Sequence, residues 1–135
     1  MSAADTARKV VALDEAAAAI AAWRRAGQRV VLATGAFDLM GAAHARALTD
    51  ARATAERLVV GVLDDRAAAE ALGAGGPVVA AEERARLVAA LRVVDRVVVL
   101  ARDEDAALGA DGRISVADEA SAATRGRVRG THAGG

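Results

Sequence analysis

The stretch Ala33-Thr-Gly-Ala-Phe-Asp-Leu-Met-Gly-Ala-Ala-His44 decides how this chain is read. Before it runs Arg29-Val-Val-Leu-Ala-Thr34, small and β-branched residues with the pattern of a buried strand; after it, Ala42 to Ala55 carries apolar residues at helical spacing. The order is therefore strand, glycine loop, helix. At such a junction the first N–H groups of the helix lack intrahelical partners and carry the positive end of its dipole, so they face any anion above the strand's end. Gly35 permits a tight turn, Gly41 is an acceptable N-cap, and His44 falls in the first turn, where its ring can reach the same anion. For His44 a capped or solvated side chain is the competing reading.

The same alternation continues outward. Leu13 to Gly27 has Ala, Ile and Trp at helical spacing, with Asp14 and Glu15 at the positive end and Gly27 as the stop. Its Trp23 reads as a core or edge residue. Arg57 to Leu63 reads as a second buried strand, Asp65 to Leu72 as a short helix, and Ala74-Gly-Gly-Pro77 as a loop. Ala81 to Val93 reads as a helix opening with Glu82 and Glu83, and Asp95 to Leu100 as a third strand. Signals are weak from Ala101 to Gly112, and Arg113 to Ala117 reads as one more short strand. Two apolar strands bracketing a helix predict a right-handed βαβ unit, hence an α/β three-layer sandwich around a parallel, Rossmann-like sheet. Ligands in such sheets sit beyond the strands' carboxyl ends, where the glycine loop lies. One domain is expected over residues 9–124, after a flexible start at 1–8 and before a disordered tail at 125–135.

Composition narrows the function classes. The 135 residues contain no cysteine, which excludes disulfides, thiolate metal sites and a cysteine nucleophile, and is consistent with a reducing cytoplasm. Eighteen basic residues balance eighteen acidic ones, and Trp23 and Phe37 are the only Phe, Tyr or Trp residues. Nucleic acid would find neither a positive field nor stacking platforms. No segment has signal-peptide or membrane-spanning character, so a soluble cytoplasmic protein without membrane contact is expected. Asp64 and Asp65 read as a turn and helix start, so no metal ligand is assigned. Asp38 reads as a local cap and Phe37 as core.

Several spaced motifs appear in one order: Lys9-Val-Val-Ala-Leu13 before the first helix, Thr34-Gly-Ala-Phe-Asp-Leu39, Leu58-Val-Val-Gly-Val62 followed by Asp65, then Gly73, Gly75 and Pro77. Glu82-Glu-Arg84 and Leu91-Arg-Val-Val-Asp-Arg-Val-Val98 complete the series. On these motifs residues 9 to 100 resemble the nucleotidyltransferase superfamily with a His-x-Gly-His signature, above all its heptose-phosphate adenylyltransferase and glycerol-phosphate cytidylyltransferase branch. The resemblance implies attack of a sugar- or alcohol-phosphate oxygen on the α-phosphate of a nucleoside triphosphate, with loss of pyrophosphate and with Mg²⁺ accompanying the triphosphate. Catalysis of that kind consists of aligning two phosphates and offsetting their charge with backbone N–H groups, imidazoles and cations.

By the same resemblance the residues expected to hold a nucleotide or phosphate are Gly35, Ala36, Phe37, Gly41, His44, Arg84 and Ser121, with His44 as the candidate transition-state contact. Much of the pattern is altered. The first histidine of the signature falls on Gly41 and its glycine on Ala43, while Leu72 and Gly76 stand where the heptose branch has lysine and arginine. Ser121-Ala-Ala-Thr124 resembles the family's Ser-Thr-Thr helix start with only Ser121 in place. The C-terminal part is shortened, and no counterpart of the strand bearing the family's Lys-Gly-Gly-Asp segment is expected. Losing one preorganised donor costs roughly 3–4 kcal/mol of transition-state stabilisation, and such losses do not simply add. The leading expectation is thus a catalytically impaired or inactive homologue that keeps weak nucleotide or phosphate binding. Two alternatives stay open: an active transferase with an altered acceptor, using Arg84, Arg46 or the tail arginines, and a scaffold or regulatory subunit that pairs with itself or with an intact homologue.

Overall fold

The computed structural model describes residues 3–73 and 75–118. Four parallel strands, β1 (Val30–Gly35), β2 (Arg57–Leu63), β3 (Arg96–Leu100) and β4 (Gly112–Ser115), form one sheet in the order β3-β2-β1-β4. The helices are α1 (Ala3–Arg8), α2 (Leu13–Arg25), α3 (Ala42–Ala53), α4 (Asp65–Leu72) and α5 (Ala81–Ala89), with a 3₁₀ turn at Glu104–Leu108. The Ser121–Thr124 motif, the arginines at 125, 127 and 129, and His132 lie outside the described residues. Among the described residues no helix is long and apolar enough to cross a membrane.

The two-residue period of the strands divides the core. Val31 and Ala33 of β1 pack with Leu58, Val60 and Val97 against Leu48 and Ala51 of α3 and Ala85 and Val88 of α5. Val30 and Leu32 face the opposite way, with Val59 and Val98, and meet Ala16 and Ile20 of α2 and Leu108 of the 3₁₀ turn. These are the three layers the sequence predicts, with a buried strand at the centre because both faces of β1 are covered. Trp23 packs at the edge of the second cluster, with the guanidinium groups of Arg57 and Arg96 4.9 and 5.3 Å from its ring centroid.

Two details differ from expectation and a third agrees with it. The first residues, expected to be flexible, include α1. Lys9, directly after that helix, donates to the Leu91 carbonyl beyond α5 (3.1 Å), and Val97 donates to the Lys9 carbonyl (2.8 Å), so the start of the chain covers the outer edge of β3. Burial holds the Lys9 ammonium pKa below its ordinary value, with Arg96 adding to the effect and Asp95 opposing it. The helix α5 stops at Ala89 and turns, rather than reaching Val93. Finally, the short strand expected at Arg113 to Ala117 forms as β4, beginning at Gly112 and ending at Ser115, and pairs in parallel with β1 from Val31–Gly112 through Thr34–Ser115.

β4 is held at its entry by Asp111. Its Oδ2 accepts the Val30 N–H (2.8 Å), its Oδ1 accepts Arg24 Nε (3.0 Å), and its own N–H donates to the Val30 carbonyl (2.9 Å), joining α2, β1 and β4 at one exposed carboxylate. The Val30 N–H, and then the Arg24 and Arg29 charges, hold this carboxyl's pKa below its ordinary 3.8 despite an opposing desolvation. Folding lowers the pKa, so the stabilisation is complete above the unfolded value and disappears as pH falls through the folded one. Urea midpoints measured between pH 6 and pH 2 are expected to fall with acid in the wild type. In Asp111→Asn they start lower and lose less over the same span; equal slopes for the two proteins contradict this assignment.

Candidate functional site

The strand order reverses at β1, which has β2 on one side and β4 on the other. The crevice at such a switch point lies over the loop that leaves the central strand, here residues 36–41. Gly35 closes β1 because of space: a Cβ there would lie 2.5 Å from the Val116 carbonyl oxygen and 3.1 Å from the Phe37 ring. Val116 N–H donates to Thr34 O (2.7 Å), which draws the end of β4 against this point. Phe37 follows in the left-handed region, φ 52°, which costs a bulky residue on the order of 1 kcal/mol. Complete burial of its ring, packed edge-on to His44 with centroids 5.6 Å apart, holds it there.

Gly41 is the N-cap of α3. His44 sits one turn in, 2 % exposed, and both ring nitrogens are engaged. Nδ1 accepts the Gly41 N–H (3.2 Å), which fixes the ring proton on Nε2, and Nε2 donates to Asp118 Oδ1 (3.1 Å). The strand, glycine loop and helix are thus arranged as the sequence suggests, and the imidazole is turned onto a carboxylate of the same chain.

Arg84 is a different kind of residue from the one expected. It has no exposed surface; Nε donates to Val79 O (2.7 Å), Nη1 to Ala36 O (2.6 Å) and Leu63 O (2.7 Å), and Nη2 to Asp65 Oδ1 (2.8 Å). One guanidinium therefore ties the loop after β1, the end of β2, the approach to α5 and the start of α4. Asp38 works beside it. Expected as a local cap, its carboxylate instead receives the N–H groups of Val78 and Val79, each at 2.9 Å, and is itself buried. Asp64 caps α4 through the Ala67 N–H (2.8 Å), and Asp65 also accepts the Ala81 N–H (2.9 Å), so both acids serve the backbone. Among the described residues no group of three His, Asp or Glu side chains converges as a metal site.

Two adjoining cavities open at this edge and share Thr34, Leu63 and Ala71. One, of about 430 Å³, lies toward β3 between Leu100, Glu70, Arg102 and Asp105. The other, of about 510 Å³, lies toward β4 between Gly35, Ala36, Leu72, Ser115, Val116 and Asp118. Leu72 and Gly76 lie close together: a Cβ on Gly76 would lie 2.7 Å from that of Leu72. Of the expected site residues, Gly35 and Ala36 line the β4 cavity, Gly41 caps α3, His44 lies behind Asp118, Phe37 and Arg84 are core, and Ser121 is outside the described residues. The residue that sequence reasoning missed is Asp118. It lies just beyond β4, which the β1 pairing brings to this edge, and a lone acid after a short strand carries no signal in the sequence that it reaches His44.

The cytidylyltransferase-like family profile matches residues 32–111, from β1 to the threshold of β4. This chain belongs to that family. Its relatives include the bifunctional protein HldE of Methylobacillus flagellatus, 42 % identical over 97 residues, which are 72 % of this chain and 20 % of that protein. HldE of Halorhodospira halophila is 44 % identical over 91 residues, 67 % of this chain and 19 % of the relative. The chain thus spans about a fifth of the length of these relatives. Among solved structures, a lipopolysaccharide core biosynthesis protein from Thermoplasma volcanium superposes with a TM-score of 0.57 and 25 % identity, covering 77 % of this chain and 90 % of that one.

Removing the buried guanidinium tests its place in this edge. Arg84→Leu leaves three carbonyls without their donor and is expected to lower unfolding free energy by about 3 kcal/mol or more. Arg84→Lys is expected to recover only part, since an ammonium cannot reproduce the planar fork. Urea titration reads both, and an Arg84→Leu protein as stable as wild type contradicts the tie.

Proposed function

We propose that this cytidylyltransferase-like domain binds a nucleotide or phosphorylated small molecule weakly at the carboxyl edge of its sheet and transfers nucleotidyl groups slowly or not at all. The observation that carries the reading is the charge of the crevice. Among the described residues lining its two cavities, Arg102 is the one cation, and it is exposed and lies 3.7 Å from Glu70. Nucleotidyl transfer gathers a triphosphate and an acceptor phosphate at one point, and charge there has to be offset by donors aimed at the transition state. Here Gly41 replaces one imidazole, Leu72 and Gly76 replace two cations, and Arg84 donates into its own backbone. Ground-state binding needs less: the free N–H groups at the start of α3 and the backbone of residues 35–37 suffice for weak contact with phosphate. Mg²⁺ would arrive on the triphosphate oxygens. The reading fits a cytoplasmic setting.

Pairing with another chain is a second reading, favoured by Leu39 and Val78, 68 % and 70 % exposed on two loops that Asp38 ties together. A strictly monomeric protein in light scattering, with and without an intact relative, removes its support.

The test of the main reading is pyrophosphate release from ATP and CTP with Mg²⁺ and a panel of sugar and alcohol phosphates. Release close to the enzyme-free background is expected, together with weak, saturable nucleotide binding in calorimetry. Rapid turnover that falls about a hundredfold or more in His44→Ala overturns the impaired-enzyme reading in favour of an active transferase.

A further inference from the structure

The contact between His44 and Asp118 has a direct bearing on how that site is filled. The ring has one proton to donate, on Nε2, because Nδ1 accepts from Gly41. It is given to a carboxylate whose side chain is 12 % exposed, on a ring that is itself 3 % exposed. Among the described residues the Asp118 carboxylate has no other partner and no cation lines its cavity. A phosphate oxygen that comes within hydrogen-bond distance of Nε2 must therefore stand beside this carboxylate, competing with it for a single proton.

We propose that Asp118 is a resident anion in the cradle of α3: its carboxylate holds the position on His44 that a ligand phosphate needs, and it has to swing away before phosphate binds. This rests on the reading that the crevice takes phosphate, and it supplies a reason why such binding is weak. The displaced group is an ordinary side chain at the mouth of the cavity, next to exposed Ala117, so rotation about its own χ angles is enough to clear the ring. The opposite role, a carboxylate that orients the imidazole for ligand, makes the contrary forecast for the same variants.

The experiment uses the full chain with inorganic phosphate and ATP as probes, and follows the ring nitrogens of His44 by ¹⁵N NMR. His132→Ala assigns the two histidines. Without ligand, wild type is expected to give the pattern of a ring protonated on Nε2, and Asp118→Ala to shift that nitrogen. With phosphate, Asp118→Asn and Asp118→Ala are both expected to bind roughly tenfold or more tightly than wild type, with His44 Nε2 moving on titration. If Asp118→Ala binds more weakly than wild type while Asp118→Asn matches it, the carboxylate is an orienting group and the proposal is overturned. Equal binding by all three proteins overturns it and leaves phosphate binding intact. No binding by any of them overturns both.

Discussion

A guanidinium with no exposed surface is tolerated only when its donors are met, and Arg84 meets that condition by joining four separate segments. Because three of its acceptors are main-chain carbonyls at positions 36, 63 and 79, the constraint acts on the path of the backbone rather than on one side chain. The loop after β1 cannot move away from the end of β2 without leaving a buried charge unpaired, a cost far above that of any surface contact. Asp38 reinforces this from the other side by taking two N–H groups of the approach to α5. The cradle geometry around Gly35 and Gly41 is in effect the consequence of these two buried ions.

That arrangement explains how anion-binding shape and catalytic chemistry can separate in one chain. The shape belongs to the backbone: a glycine with no room for a Cβ, a phenylalanine held at positive φ, and the start of α3 at Gly41. The side chains at Gly41, Ala43, Leu72 and Gly76 take no part in the ties beneath, which run through Arg84 and Asp38.

Much of this was legible in the sequence. Alternation in Val30-Val-Leu-Ala33, the Gly35 and Gly41 punctuation and the helical spacing after Ala42 gave strand, loop and helix, because period and glycine position are local properties. The family resemblance rested on the same residues. Less legible were the partners of buried ions. Arg84 in Glu82-Glu-Arg84 and Asp38 in Phe37-Asp-Leu39 look like surface or ligand groups in a string of letters, and their partners are tens of residues away. β4 was read as a short strand, but its place beside β1 was not, because the residues it pairs with lie some eighty positions earlier in the chain.

The sequence by itself determined the order of strands and helices and the parallel α/β class, since each of these depends on residue type and spacing along the chain. Only the tertiary structure decided which polar side chains are engaged internally: Arg84 by backbone carbonyls, His44 by Gly41 and Asp118. The reason is physical. A hydrogen bond or ion pair depends on distance in space, falling off within a few ångströms, and folding sets that distance between residues that the sequence keeps 74 positions apart.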